Sequence, residues 1–241
     1  MRTIILFIIY VLFTLLLIPV LLFCFLFRRP QPILWAGKNA LRIGPKILGI
    51  QIEIAGIDVV EKHKSYIFMS NHLSFLDGPL LYFIIPQPIR VILKKEIFRI
   101  PIIGLGMKLV GFVPVDRKGI RGGKRSIDHA VRLMKEKGYS FLIFPEGTRS
   151  RTGKLQEFRR GGFFLALASQ SPIVPIAIQG TYELMPKGSF FAKRGKIKIS
   201  FFPPISVRGN QKDDLPGLLE KVRGVIRSGL AESESDARRT G

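Results

Sequence analysis

Three short stretches of this chain carry side chains suited to chemistry. The first is Ser70-Asn71-His72-Leu73-Ser74-Phe75-Leu76-Asp77. A histidine with a carboxylate five residues on is a candidate general base with its orienting partner. In a helix that separation puts the two side chains about 140° apart, and in a strand on opposite faces, so they meet only across a turn or at a helix start. Asn71 and Ser74 suit such a start, and Gly78-Pro79 follows closely. A second reading fits the same residues: Ser74 and Asp77 form a capping box, and His72 is a polar loop residue. His63 and His129 lie among charged residues and read as solvated.

The second stretch, Phe144-Pro145-Glu146-Gly147-Thr148-Arg149-Ser150, follows the apolar run Phe141–Phe144. Proline, glycine and polar residues at the end of a buried strand mark where α/β proteins bind ligands. Arg149 can hold two phosphate oxygens at once, and Thr148 can donate its hydroxyl. An ordinary turn with a surface ion pair is the competing reading. The third stretch runs from Lys94-Lys95 through Pro101 and Gly104 to Val115-Asp116-Arg117. Basic residues close to strand ends suit a phosphate, but such residues recur throughout the chain.

Other chemistries are excluded. Gly119 to Ser126 imitates a P-loop, yet its first glycine is one residue too close, and Arg125 stands where a magnesium-binding hydroxyl belongs. No G-x-S-x-G elbow supports a serine nucleophile. The lone Cys24 excludes an internal disulfide framework and a Cys-rich zinc site, and no metal site is expected.

Those stretches need elements to hold them. Ile50–Ile54, Tyr66–Met69, Val91–Leu93, Gly111–Val115, Ser140–Phe144, Ile173–Gln179 and Ile197–Phe202 read as strands, most of them apolar enough to be buried on both faces. Helical patterns fall at Asp77–Phe83, Gly123–Glu136, Gly161–Ser169 and Asp214–Ser228. The alternation predicts an α/β domain with a mixed, largely parallel sheet flanked by helices.

The chain has 241 residues, a formal net charge of +21 and a mean hydropathy of +0.25. Charge and apolarity coexist because the apolar residues are concentrated: Thr3 to Phe27 is free of charge. As a helix that run reaches about 37 Å, enough for a hydrocarbon core of about 30 Å. Pro19 predicts a kink. The run is too long for a signal peptide and lacks a small-residue cleavage site, so an uncleaved anchor is expected. Arg28, Arg29, Lys38, Arg42 and Lys46 follow it and only Arg2 precedes it, which places the remainder on the cytoplasmic side. Ile33–Ile50 mixes apolar and basic residues like an interfacial amphipathic helix, broken at Gly44-Pro45. The pair either spans once or dips into one leaflet. Residues 1–50 thus form an N-terminal membrane anchor, 51–231 an α/β domain and 232–241 a polar tail. Aromatics interleaved with the basic residues would indicate nucleic acid, but here they cluster in the anchor and apolar runs; a membrane surface is the expected partner and nucleic acid is not.

Order and spacing together resemble the 1-acylglycerol-3-phosphate acyltransferases of the glycerolipid acyltransferase family, bacterial PlsC type. Four blocks over about residues 65–180 carry the likeness: Asn71-His72 to Asp77; Lys95, Pro101, Gly104, Gly111 and Asp116-Arg117; Phe144 to Ser150; and Ile173-Val174-Pro175-Ile176. The resemblance implies acyl transfer from a thioester to the sn-2 hydroxyl of lysophosphatidate, giving phosphatidate. It implies His72 as general base and Asp77 as its orienting partner. It further implies Arg117, Glu146, Gly147, Thr148 and Arg149, with Lys95, as the glycerol phosphate site. No cofactor is expected; acyl carrier protein or coenzyme A carries the donor. An acyltransferase acting on another lysolipid or on glycerol 3-phosphate, or a non-catalytic basic membrane-surface protein, are the alternatives.

Overall fold

Among the described residues, seven strands form one sheet: β1 (Ile50–Ala55), β2 (Ile67–Ser70), β3 (Ile89–Lys94), β4 (Val113–Val115), β5 (Ser140–Ile143), β6 (Ile173–Gln179) and β7 (Gly195–Phe201). The computed structural model describes residues 1–101, 103–115 and 120–239, of which 120–121 and 232–239 are described by their backbone. The strand order is β1-β7-β6-β2-β5-β3-β4. From β6 to β4 all neighbours are parallel, while β7 runs antiparallel to β6 and parallel to β1. The sheet is mixed and largely parallel, as the alternation of elements predicts.

Helices cover both faces: α1 (Arg2–Leu16), α2 (Ile18–Leu26), α3 (Gln31–Leu48), α4 (Asp77–Ile84), α5 (Ile103–Leu109), α6 (Ile120–Lys137), α7 (Gly161–Ser169), α8 (Thr181–Leu184) and α9 (Leu215–Arg239). The β2 segment shows why its residues must be apolar on both sides. Tyr66 and Phe68 point into a core shared with Leu48, Leu80 and Leu81, while Ile67 and Met69 point into a second core with Ala130, Phe163 and Val222. All four are fully buried. The edge strand β1 is mostly exposed, and β7 alternates.

The apolar N-terminus forms α1 and α2, bent by 42° at a break ahead of Pro19. No single helix among the described residues is long and apolar enough to cross a membrane, although the bent pair is, by length and composition. Most of its large side chains are exposed, including Phe7, Leu12, Leu16, Leu22 and Phe25. Leu6, Leu21 and Cys24 are buried. The pair packs on α3, and the Tyr10 hydroxyl donates to the Ala40 carbonyl at 3.3 Å.

The expected break at Gly44-Pro45 does not occur: α3 continues to Leu48. Gly44 is buried, and a Cβ there would lie 2.7 Å from the Tyr10 hydroxyl oxygen. Close packing of α1 on this face holds the helix for one more turn past the proline, against local preference. Gly49, at φ +73°, then ends it. At the other end of the chain, α9 runs on into the polar stretch that begins at Glu232.

Candidate active site

Parallel neighbours put their carboxyl ends on the same edge of a sheet, and ligands bind beyond that edge. β2 ends at Ser70 and leads to His72; its neighbour β5 ends at Ile143 and leads to the loop 144–150. β3, next along, ends at Lys94 and leads to Lys95. The topology therefore gathers all three stretches. Arg117, which follows β4, lies outside the described residues.

Asp77 opens α4, so its carboxylate sits at the positive end of that helix. It is fully buried, and its Oδ2 lies 2.8 Å from His72 Nδ1. The same oxygen accepts the backbone N–H of Leu73 at 2.7 Å and of Ser74 at 2.8 Å. The chain between the two residues thus folds into a turn that its own carboxylate closes. Half of the expected capping box exists, since Asp77 reaches back to the Ser74 N–H. The Ser74 hydroxyl goes elsewhere, donating to the Met185 carbonyl and accepting from Leu76 N. Asn71 is no cap either. Its buried amide donates to the Ile178 carbonyl and accepts the Ile178 N–H, both at 2.8 Å, stitching the end of β2 to β6.

The His72 side chain is 20% exposed. With Nδ1 committed to Asp77, its other nitrogen, Nε2, is the one free to meet a ligand. The Phe144 ring stacks on the imidazole, with centroids 4.0 Å apart and planes 17° apart. This contact restrains rotation of the imidazole.

Glu146 sits behind the loop rather than on its outer face. It is 2% exposed. Oε1 accepts the His72 backbone N–H at 2.7 Å, and Oε2 accepts Gln156 N at 3.1 Å and Gln156 Nε2 at 2.8 Å. Burial raises its pKa above the usual carboxylate range, and these N–H bonds pull the other way. The Ser150 N–H donates to the His72 carbonyl at 2.8 Å, so the two loops are tied by both sides of the His72 peptide. Gly147 sits at φ +72°, a conformation strained for any other residue, and a Cβ there would lie 2.9 Å from Arg159 Cδ and displace that side chain.

Arg149 is half-buried, with its guanidinium 5.9 Å from the centroid of the exposed Phe75 ring. Lys187 Nζ donates to Thr148 Oγ1 at 2.9 Å and to the Arg149 carbonyl at 3.1 Å. Lys187 thus meets the Thr148 side chain and the Arg149 backbone in the loop whose Ser150 N–H bonds the His72 carbonyl, while the Arg149 guanidinium lies toward Phe75. Gly104, in the third stretch, has a packing role: a Cβ there would collide with the Phe98 carbonyl.

Sequence reasoning missed Lys187, Gln156 and the Phe144 stack. Lys187 lies in a polar turn 115 residues from His72 with no motif around it. Phe144 reads as the last residue of an apolar strand, which hides its ring's second use.

A family model described as Acyltransferase matches residues 51–179. A 1-acyl-sn-glycerol-3-phosphate acyltransferase from Limnanthes douglasii is 34% identical over 188 residues, covering 78% of this chain and 66% of that protein. The human 1-acyl-sn-glycerol-3-phosphate acyltransferase alpha is 29% identical over 192 residues, covering 80% of this chain and 68% of that protein. The matched stretch thus spans about two-thirds of each relative. The crystal structure of the 1-acyl-sn-glycerophosphate acyltransferase PlsC from Thermotoga maritima has the same fold, with a TM-score of 0.81 over 97% of this chain and 95% of that one, at 23% identity.

Proposed function

Because this chain belongs to the acyltransferase family, we propose that it transfers an acyl group from a thioester to the sn-2 hydroxyl of lysophosphatidate, yielding phosphatidate. The 2.8 Å contact between His72 and Asp77, on the same sheet edge as Arg149, is the observation that carries this reading.

His72 Nε2 takes the proton of the acceptor hydroxyl as its oxygen attacks the thioester carbonyl carbon. The tetrahedral intermediate collapses, the carbon–sulfur bond breaks, and the imidazolium returns the proton to the thiolate. Asp77 holds the imidazole by Nδ1 and stabilises its cationic form, as the carboxylate of a serine-protease triad does. The substrate supplies the nucleophile, so no acyl-enzyme forms. Arg149, Thr148 and Lys187 bind the acceptor phosphate, with Lys95 contributing from the end of β3; Arg117 is assigned to the same phosphate from the sequence resemblance alone. A carboxylate would repel a phosphate, so Glu146 serves as a brace that fixes the His72 backbone. Gly147 allows the loop to turn. The donor is carried by acyl carrier protein or coenzyme A, and the chemistry needs no cofactor.

The catalytic domain works at a membrane, on the cytoplasmic face. Both ends of the α1–α2 pair connect to one body: Arg2 Nη1 reaches the Leu48 carbonyl at 3.5 Å, the Ala192 N–H reaches Thr3 Oγ1 at 3.0 Å, and α2 leads directly into α3. That tethering supports shallow insertion into one leaflet. Lifting an acyl chain into water costs about 0.8 kcal/mol per CH2, a cost avoided by a site at the headgroup plane.

The test is thiol release on mixing the protein with acyl-coenzyme A or acyl carrier protein thioester and lysophosphatidate. Release that requires the acceptor and yields one phosphatidate per thiol is expected. Acceptor-independent release, or preference for glycerol 3-phosphate, overturns the assignment.

A further inference from the structure

The segment after α8 forms a closed loop that the chemistry above uses only at Lys187. The Lys193 N–H donates to the Leu184 carbonyl at 2.9 Å and shuts its base. Inside it, Ser189 N donates to the Pro186 carbonyl at 3.0 Å. The Ser189 hydroxyl accepts from Phe191 N at 3.2 Å and donates to the Phe191 carbonyl at 2.9 Å. These bonds build a tight turn whose tip is Phe190-Phe191. The two rings are 83% and 58% exposed, among the most exposed large apolar side chains outside the N-terminal helices.

Three contacts place this tip. Lys187 bonds Thr148 and the Arg149 carbonyl. The Met185 carbonyl accepts from the Ser74 hydroxyl, two residues from His72. Ala192 exchanges hydrogen bonds with Thr3 at the start of α1, by 3.0 Å from its N–H and 3.5 Å to its carbonyl. The loop is therefore continuous on one side with the exposed apolar surface of α1 and on the other with the candidate active site. Lys187, Lys193 and Arg194 flank the two rings, and Lys193 and Arg194 are exposed. An aromatic tip with a basic collar matches the boundary between acyl chains and anionic headgroups.

We propose that loop 185–194 is a second membrane-inserting element, which buries Phe190 and Phe191 in the leaflet that holds α1 and α2 and presses the mouth of the site onto the lipid surface. The occupant of this surface is an anionic bilayer. An acidic carrier protein is the rival: it matches the basic collar, but the two phenyl rings continue the exposed apolar surface of α1, which favours a bilayer. The inference rests on the membrane reading above.

Its test uses the full chain. The only tryptophan, Trp35, is itself exposed and is replaced in a Trp35→Phe background; Phe190→Trp then reports the loop alone. Vesicles of anionic phosphatidylglycerol with bromine on the upper acyl chain are the probe. The expected result is quenched, blue-shifted emission in vesicles and none with acyl carrier protein alone. Unquenched emission from protein that floats with the vesicles overturns the proposal, as does a blue shift with the carrier protein alone. Protein that fails to float overturns both this inference and the membrane reading. Quenching without acyl transfer to lysophosphatidate supports the loop and rejects only the substrate assignment. A second readout is kinetic. Phe190→Ser/Phe191→Ser is expected to raise KM for vesicle-borne lysophosphatidate about tenfold and leave turnover of a dissolved short-chain acceptor unchanged. Equal effects on both acceptors, or none on either, overturn it.

Discussion

His72 Nδ1 and Asp77 Oδ2 stand 2.8 Å apart, and the backbone N–H groups of Leu73 and Ser74 converge on that same oxygen. One buried carboxylate therefore both shapes the turn and aims the imidazole. The two tasks separate by mutation. His72→Ala is expected to lower kcat by about 10²–10⁴-fold, the usual worth of a general base, with little change in melting temperature. Asp77→Ala is expected to lower kcat comparably and also to destabilise the fold by about 1–3 kcal/mol, because two buried N–H groups lose their acceptor. Turnover assays and urea melts on the two variants check this. A His72→Ala enzyme retaining a tenth or more of its activity would exclude general-base catalysis there.

Thr148, Arg149 and Lys187 are expected to govern acceptor affinity. Arg149→Ala removes a charge-assisted contact worth about 1.5–3 kcal/mol, or about 10–150-fold in KM for lysophosphatidate. Lys187→Ala acts in the same direction but less, because Arg149 remains. Steady-state kinetics with each substrate varied in turn separates acceptor from donor. A change confined to the KM of the thioester would move the phosphate site elsewhere.

The strands were legible because central parallel strands must be apolar on both faces, and β2, β5 and β6 read so directly. The pairing of a histidine with a carboxylate five residues away was legible as an option, and the fold combines it with half of the competing cap: Asp77 Oδ2 meets both His72 Nδ1 and the Ser74 N–H, while the Ser74 hydroxyl bonds the Met185 carbonyl. What stayed hidden depends on tertiary proximity. The Gly44-Pro45 break is overridden by α1 packing on Gly44. The burial of Glu146 and its bonds to His72 N and Gln156 likewise depend on residues distant in the chain. Lys187 reaches the site from a turn beyond β6 that no local pattern marks.

The Phe144 stack is expected to act on turnover rather than binding. Phe144→Leu keeps the apolar volume and removes the ring face 4.0 Å from the imidazole. A stacked aromatic contact is worth about 0.5–1.5 kcal/mol, so kcat should fall about 2–10-fold with KM for either substrate unchanged. An unchanged kcat would leave Phe144 as packing alone.

Glu146 predicts a pH dependence of stability whose sign is set by burial. Its folded pKa is raised above the ordinary value of 4.5. Between the ordinary and the raised value the folded state holds more protons than the unfolded state. The stabilisation associated with the protonated carboxyl is therefore present at low pH and is lost as pH rises through the folded value. Glu146→Gln has no such titration. It also turns an amide nitrogen toward donors that now meet oxygen, from His72 N or from Gln156, which costs about 1–3 kcal/mol. The variant should melt lower than wild type, with the gap narrowing as pH rises through that window. It should also lose kcat, because the His72 backbone is released from the loop. Thermal melts of both proteins across the window, paired with turnover at neutral pH, check the two effects. A gap that widens with pH would reverse the assigned direction of the shift.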